Sequence, residues 1–407
     1  MDYDLRSKLN MYKREGKEKR TERAGSGLDI HQVLEGVVCS NDQGSCFLIE
    51  KRYPLSYIRG GCSIRSALEV DGAFLRKLCR ESGPDLTISD FLFLDTETTG
   101  LSGGAGTVAF LVGTGCFCGD EFVLRQYFMR DYDEEPALLS ELNGLLGGCK
   151  GLVTFNGKAF DWNLLQSRFT FNRMRLSLRN PVHLDLLFPS RRIWKLSLES
   201  CRLGSLEENI LGEYRGDDIP GALIPQVYFK YLEDRNAAPV VKVLEHNEKD
   251  ILSMVSLLVK IVSMLQNPVS ETDGKYELLG VGRIFENSGE NGMMIECYEN
   301  CLQSGDYAVR QTASQRLVSA YKKRRDYGKM VEHCEQMLSA SDTNAVPLMI
   351  ELAKYYEHRA KDIKRAVKVV EYALQKSMHL GLGNSIYREE LKKRLDRLKR
   401  KAAAQRR

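Results

Sequence analysis

The chain has 407 residues, too many for one compact core, so two domains with tails are expected. Hydrophobic residues make up 43% and charged residues 28%, an ordinary globular composition. The formal net charge of +4 is too small to argue for a nucleic-acid partner by itself, and no apolar run is long enough to span a bilayer.

Charge is uneven along the chain. Lys8, Lys13, Arg14, Lys17, Lys19 and Arg20 crowd the start, and Lys392 to Arg407 is basic with little acid after Glu390. Such ends can hold phosphates or simply be a solvated helix end and tail. The eleven cysteines are scattered, with no CxxC pair and no partner pairs at zinc-site spacing, so they read as reduced thiols. The start is charged and lacks the apolar stretch of a secretory signal. A soluble chain in the cytoplasm, where thiols stay reduced, is expected.

Residues 1–30 have no apolar period and read as a charged flexible tail. In 31–85, short apolar runs such as Cys46-Phe-Leu-Ile49 are broken by Pro54 and Gly60-Gly61. That segment is expected as an N-terminal extension packed on the next domain. Residues 86–262 form that domain. Phe91–Leu94, Val108–Val112 and Phe122–Met129 predict a three-stranded meander. Pro136 opens a helix to Leu146, Leu152–Phe155 is a buried strand, and a helix follows from Asp161 to Phe169. His183-Leu184 is one more short strand, and a long helix runs from Val241 through Leu258. Strands first, then strands alternating with helices, give a mixed sheet flanked by helices, an α/β architecture.

After a linker at 263–274 the texture turns continuously helical through 275–383, ending in a basic helix or tail at 384–407. Phe285 to Leu302 can be laid over Tyr321 to Leu338, and the frame continues from Tyr356 to Leu374, at offsets of 36 and 35 residues. That is close to the 34-residue period of tetratricopeptide repeats, so an all-α, tetratricopeptide-like repeat domain is expected.

Three segments carry chemistry. In Phe-Leu-Phe-Leu-Asp95-Thr-Glu97, residues two apart on a strand share a face, so Asp95 and Glu97 can hold cations side by side. Two acids beside a four-residue apolar run are costly unless a cation pairs them. In Phe155-Asn156-Gly-Lys-Ala-Phe-Asp161, a strand ends in a turn and Asp161 opens the next helix, as an N-cap, a metal ligand or both. Asn156 either orients substrate or makes the turn. In Glu245-His246-Asn-Glu-Lys-Asp250, His246 and Asp250 lie one helical turn apart. Asp250 can then ligate a metal while His246 reaches the attacking water; a surface ion pair is the plainer alternative.

Asp-x-Glu, Asn-x4-Asp and His-x3-Asp in this order resemble the DEDD 3′→5′ exonuclease superfamily in its histidine-bearing branch. The gap before Asp250 departs from that branch, being the one usual where tyrosine replaces histidine. Asp95 to Thr107, Val153 to Asp161, His183 to Leu187, Asp218 to Pro225 and Glu245 to Asp250 resemble the bacterial YprB family of ribonuclease-H-like exonucleases. The resemblance covers roughly residues 35–262, and members often carry tetratricopeptide-like helices afterwards. It implies hydrolysis of single-stranded DNA or RNA from a 3′ end with two Mg²⁺ or Mn²⁺ ions. Asp95, Glu97, Asp161 and Asp250 would hold the ions, His246 would be the base, and Asn156 and Thr98 would contact substrate. The helical repeats would bind a protein partner or extend the nucleic-acid path. The rival expectations are a non-catalytic nucleic-acid-binding scaffold and a phosphohydrolase of small nucleotides.

Asp185 is either a fifth acid near the metals or a cap for the next turn. The Gly100–Thr107 loop lacks the Gly-Lys-Ser/Thr ending of a P-loop, which argues against an ATPase and for a hairpin loop near the 3′ end. Arg191, Arg192 and Lys195 either contact a nucleic-acid backbone or decorate a solvated loop.

Overall fold

The computed structural model describes residues 28–79, 86–100, 106–339, 346–379 and 385–404. Most of the N-terminal tail, the core of the Gly100–Thr107 loop and the last three residues fall outside them. The chain divides into two compact units. The first runs up to Ser190 and again over Ser200–Val262, and the second takes Arg191–Glu199 with the chain from Ser263 on.

The first unit is built on seven strands: β1 (Val37–Asn41), β2 (Gly44–Pro54), β3 (Phe91–Thr98), β4 (Ala109–Cys118), β5 (Glu121–Phe128), β6 (Gly151–Thr154) and β7 (Val182–Asp185). Their order across the sheet is β1-β2-β5-β4-β3-β6-β7. The β1 to β5 neighbours are antiparallel, whereas β3, β6 and β7 run parallel, so the sheet is mixed. The Phe91-Leu-Phe-Leu94 run is buried throughout, as a central strand covered on both faces must be.

Part of residues 31–85 joins the sheet itself: β2 pairs with β5 from Phe47 through Pro54 and extends it. Its outer half, Glu50-Lys51-Arg52, is exposed, which hides an eleven-residue strand behind a short apolar run.

Four helices matter to the site: α1 (Glu135–Leu146), α2 (Asp161–Phe171), α3 (Ile224–Asp234) and α4 (Val240–Gln266). Pro136 sits in the first turn of α1, where a missing N–H costs nothing. Tyr228 of α3 stacks on Phe110 of β4, with centroids 4.0 Å apart and planes 4° from parallel. In α4, Ile251, Val255 and Leu258 are wholly buried.

The second unit is helical: α5 (Lys275–Ser288), α6 (Asn291–Cys301), α7 (Tyr307–Lys323), α8 (Tyr327–Ser339), α9 (Val346–His358), α10 (Ile363–His379) and α11 (Ser385–Ala404). Each helix packs on the next, and α5, α7, α9 and α11 also touch in succession. The aligned aromatics Phe285, Tyr321 and Tyr356 are all buried, in α5, α7 and α9. Among the described residues, which include all eleven cysteines, no disulfide joins two of them. Among the described residues no helix is long and apolar enough to cross a membrane.

Candidate active site

The site lies at the end of β3, where α2 and α4 each deliver an acid. Asp95 and Glu97 alternate with buried Thr96 on the strand. Asp161 is the first residue of α2, and the cap position before it belongs to Phe160, whose side chain bonds no helix amide. The carboxylate is therefore free of N-cap duty. It instead accepts a hydrogen bond from Thr96 Oγ1 at 2.5 Å. Asn156, at φ +67°, turns the chain between β6 and α2. A side chain at Gly157 would come within 2.8 Å of Asp161 Oδ2, so the loop needs glycine there.

Asp185 has the capping role. Its Oδ1 accepts from the backbone N–H groups of Asn156 and Leu187 at 2.8 and 3.1 Å, and its Oδ2 from Lys158 at 3.1 Å. It builds the loop that presents Asp161. His183 beside it is bonded to Thr154 Oγ1 at 2.8 Å, and burial lowers its ring to about 4, so it stays neutral in the core. Thr98 Oγ1 donates to the Gly100 carbonyl at 2.9 Å. Arg191, Arg192 and Lys195 lie in the stretch that groups with the helical unit.

Helix α4 contributes more than His246 and Asp250. Asn247, wholly buried, donates to Asp95 Oδ2 at 2.8 Å and accepts from Gln126 Nε2 at 2.9 Å. It can do so because Gly113, paired with both Asp95 and Gln126 across the sheet, has no side chain. A Cβ there would fall 2.0 Å from Asn247 Oδ1. Asn247 thus fastens α4 to the sheet at the site.

The loop before α3 supplies the rest. Arg215 donates to Glu207, to Asp250 Oδ1 and, at 3.0 Å, to Asp218 Oδ2. His246 Nδ1 lies 2.8 Å from Asp218 Oδ2. Burial raises the Asp218 carboxyl, but Arg215 and His246 outweigh it and hold it below the usual range. An ionised carboxylate only accepts, so Nδ1 carries the proton given to Asp218. Nε2 lies 3.7 Å from Asp250 Oδ2.

The electrostatics point to a cation. Burial, then the charges of Asp250, Glu97 and Asp161, raise the Asp95 carboxyl well above its ordinary value. Burial, Asp250 and Asp161 do the same to Glu97. Asp161 is raised to about 6, chiefly by burial. Asp250 is raised by burial despite Arg215 and His246. Among the described residues, Glu97, His246 and Asp250 offer ligand atoms all within 4.8 Å of one another. Clustered acids out of water with too little positive charge fit a divalent metal, and hard oxygen donors suit Mg²⁺ or Mn²⁺. Asp95 lies outside that tightest group but feels the charges of Asp250 and Glu97, and Asp161, also outside it, raises both Asp95 and Glu97.

Sequence reasoning missed Asn247, Arg215, Asp218 and Thr96 as parts of the site. Asp218 falls inside the Asp218–Pro225 motif, a signal without a role. Asn247 stands between His246 and Asp250, unread.

A mixed sheet whose central strand ends in Asp-x-Glu, met by acids from two helices, defines a ribonuclease-H-like domain. Residues 92–262 match the RNase_H superfamily family model. The chain is 32% identical over 369 residues, 88% of its length and 86% of the other, to the uncharacterized protein YprB of Bacillus subtilis (strain 168). It belongs to the YprB family. A solved family B DNA polymerase from the hyperthermophilic archaeon Pyrobaculum calidifontis is similar over 51% of this chain and 30% of that one, at 14% identity and a TM-score of 0.35.

Proposed function

We propose that this chain is a metal-dependent 3′→5′ exonuclease acting on single-stranded DNA or RNA. The observation that carries this reading is the convergence of Asp95, Glu97, Asp161 and Asp250 at one strand end, with carboxyls raised by burial and, at Asp95 and Glu97, by the neighbouring acids. These four would hold two Mg²⁺ or Mn²⁺ ions, which when bound neutralise the phosphate and stabilise the attacking and leaving oxygens. His246 Nε2 accepts the proton of the attacking water, and Asp218 holds the ring by its Nδ1–H. The water oxygen bonds to the terminal phosphorus and the bond from phosphorus to the 3′ oxygen of the next sugar breaks. A 5′-mononucleotide leaves, and the shortened strand keeps a free 3′ hydroxyl. Thr98 and Asn156 serve as substrate contacts. The helices from 275 to 383 form a tetratricopeptide-like domain open to a protein partner, and the protein works in the cytoplasm.

One observation favours a second reading. Arg215 is bonded to Asp250, the kind of pairing a non-catalytic nucleic-acid-binding scaffold would keep permanently. End-labelled DNA and RNA oligonucleotides incubated with Mn²⁺ or with EDTA decide between them. The exonuclease reading expects stepwise shortening from the 3′ end with Mn²⁺ alone; binding without any shortening would leave the scaffold.

A further inference from the structure

The helical unit contains a second candidate site. Lys322 of α7, Tyr327 of α8, the end of α9 and Arg394 and Arg397 of α11 line a cavity of about 330 Å³. That is near the lower bound for small-molecule pockets, room for one compact ligand.

Its charge is unbalanced. Glu351 is shared by Lys322 and Lys354 at 2.6 and 2.7 Å. Glu357, whose side chain is wholly buried, takes Arg394 and Arg397 at 3.0 and 2.7 Å, and Lys401 at 2.8 Å. Arg359 also lines the cavity, and among the described residues it has no carboxylate partner. It lies over the Tyr327 ring, 5.2 Å from the centroid. Five lining cations, Lys322, Lys354, Arg359, Arg394 and Arg397, therefore face three carboxylates, Glu351, Glu357 and Glu390, the last 3.7 Å from Arg394, an excess of two positive charges.

The walls add ring faces to that charge. Tyr327 and Tyr355 lie 5.7 Å apart with planes tilted by 31°. Cations beside aromatic faces are what a phosphate attached to a planar base requires: guanidinium and ammonium groups for the phosphate, rings for stacking.

We propose that this cavity binds a nucleotide, with its phosphate among Arg359, Arg397, Lys322 and Lys354 and its base against Tyr327 and Tyr355. The nucleotide is either a free nucleoside monophosphate or the phosphorylated end of a single strand. The inference stands on this cavity alone and does not need the sheet-bearing unit to be catalytic.

The test is calorimetric titration of the full chain in EDTA. The probes are adenosine 5′-monophosphate, adenosine, inorganic phosphate, a short single-stranded oligonucleotide with and without a 5′-phosphate, and a phosphotyrosine peptide. Adenosine monophosphate should bind, and adenosine and inorganic phosphate should each bind at least about tenfold more weakly. Arg359→Glu, a change at an exposed position, should weaken monophosphate binding roughly ten- to a hundredfold. Tyr327→Ala should weaken monophosphate more than inorganic phosphate. Preference for the phosphorylated oligonucleotide over monophosphate assigns a strand end, and the reverse assigns the free nucleotide. Absence of binding by both, or monophosphate binding untouched by Arg359→Glu and Tyr327→Ala, overturns the proposal. Tighter, Arg359-dependent binding of the phosphotyrosine peptide would replace the nucleotide with a phosphoprotein.

Discussion

Glu357 and Asp161 are both acids withdrawn from water, and the protein drives them in opposite directions. Burial alone would raise the Glu357 carboxyl, yet bonds from Arg397 and Lys401 bring it down to about 2. Asp161 has a threonine hydroxyl for a partner and is raised to about 6. The helical unit provides the cations its buried acid needs. At the site, the sheet-bearing unit withholds them from three of the four clustered acids; among these Asp250 alone is bonded to an arginine. A buried acid with its own cations serves the fold, and one without them leaves a place for a cation from outside.

The largest expected effect breaks the comparison on the side of the sheet. Asp95→Asn or Asp161→Asn should lower hydrolysis of a labelled oligonucleotide below detection while the fold persists. Near-normal turnover with unchanged metal dependence would remove these residues from the site.

Next come His246 and the residue that holds it. Positioned general-base catalysis is worth about 10²–10⁴-fold, so His246→Ala should slow single-turnover cleavage by that range. Asp218→Asn keeps a polar partner for the ring but loses the charge, and should cost less, on the order of 10–100-fold. In the double variant the two losses should not multiply, because Asp218 acts through the ring. Multiplying losses would give Asp218 a separate role. His246→Tyr tests the short gap to Asp250: recovery over alanine would mean that this position works as tyrosine enzymes work.

How far the sequence reveals this site follows from the range of each contact. Asp95 and Glu97 are legible because strand alternation is local, and His246 with Asp250 because helical spacing is local. The bond from Asn247 to Asp95 joins residues 152 apart, and only the sheet's register seats Asn247 on Gly113. Nothing in the periodicity around either residue announces it. Arg215 and Asp218 lie in an irregular stretch between helices, where no pattern says which way a side chain turns. The strands are legible where both faces are buried, as in Phe91–Leu94. The strand β2 is only half legible because exposed Glu50-Lys51-Arg52 breaks its apolar signal, while its pairing with β5 depends on a partner far along the chain. The cavity among the helices is not legible, since its cations come from helices whose registry only packing sets.

On the helical side, Glu357→Gln should leave Arg394, Arg397 and Lys401 without their carboxylate. Breaking a fully buried pair costs about 3–5 kcal/mol, but Arg397 and Lys401 are each 45% exposed, which reduces the loss toward about 2 kcal/mol. Because the folded carboxyl is lowered from 4.5 to about 2, its contribution is complete above pH 4.5 and fades as pH falls toward 2. Denaturant unfolding of wild type and variant should differ at pH 7 and converge near pH 2. An equal gap at both would show that charge is not what Glu357 supplies.

The smallest effect has the opposite sign, and it tests whether the acids of the sheet await a cation. Asp161 is raised from 3.8 to about 6, so without metal the folded state holds its proton more tightly than the unfolded chain does. Across that interval the unfolded chain binds fewer protons, and stability falls as pH rises from 3.8 through about 6. An asparagine in its place would carry no such charge and could still accept the Thr96 hydroxyl bond. In EDTA, Asp161→Asn should therefore melt above wild type at pH 7, at roughly 2–4 °C for each kcal/mol relieved, and the two should coincide near pH 4. Added Mg²⁺ or Mn²⁺ should raise the wild-type Tm and leave that of Asp161→Asn almost unmoved, reversing the order. The variant that cannot cut would then be the more stable protein only while metal is absent. A variant that melts below wild type in EDTA at pH 7 would mean that the charge of Asp161 is already compensated within the chain, and the contrast with Glu357 would fail.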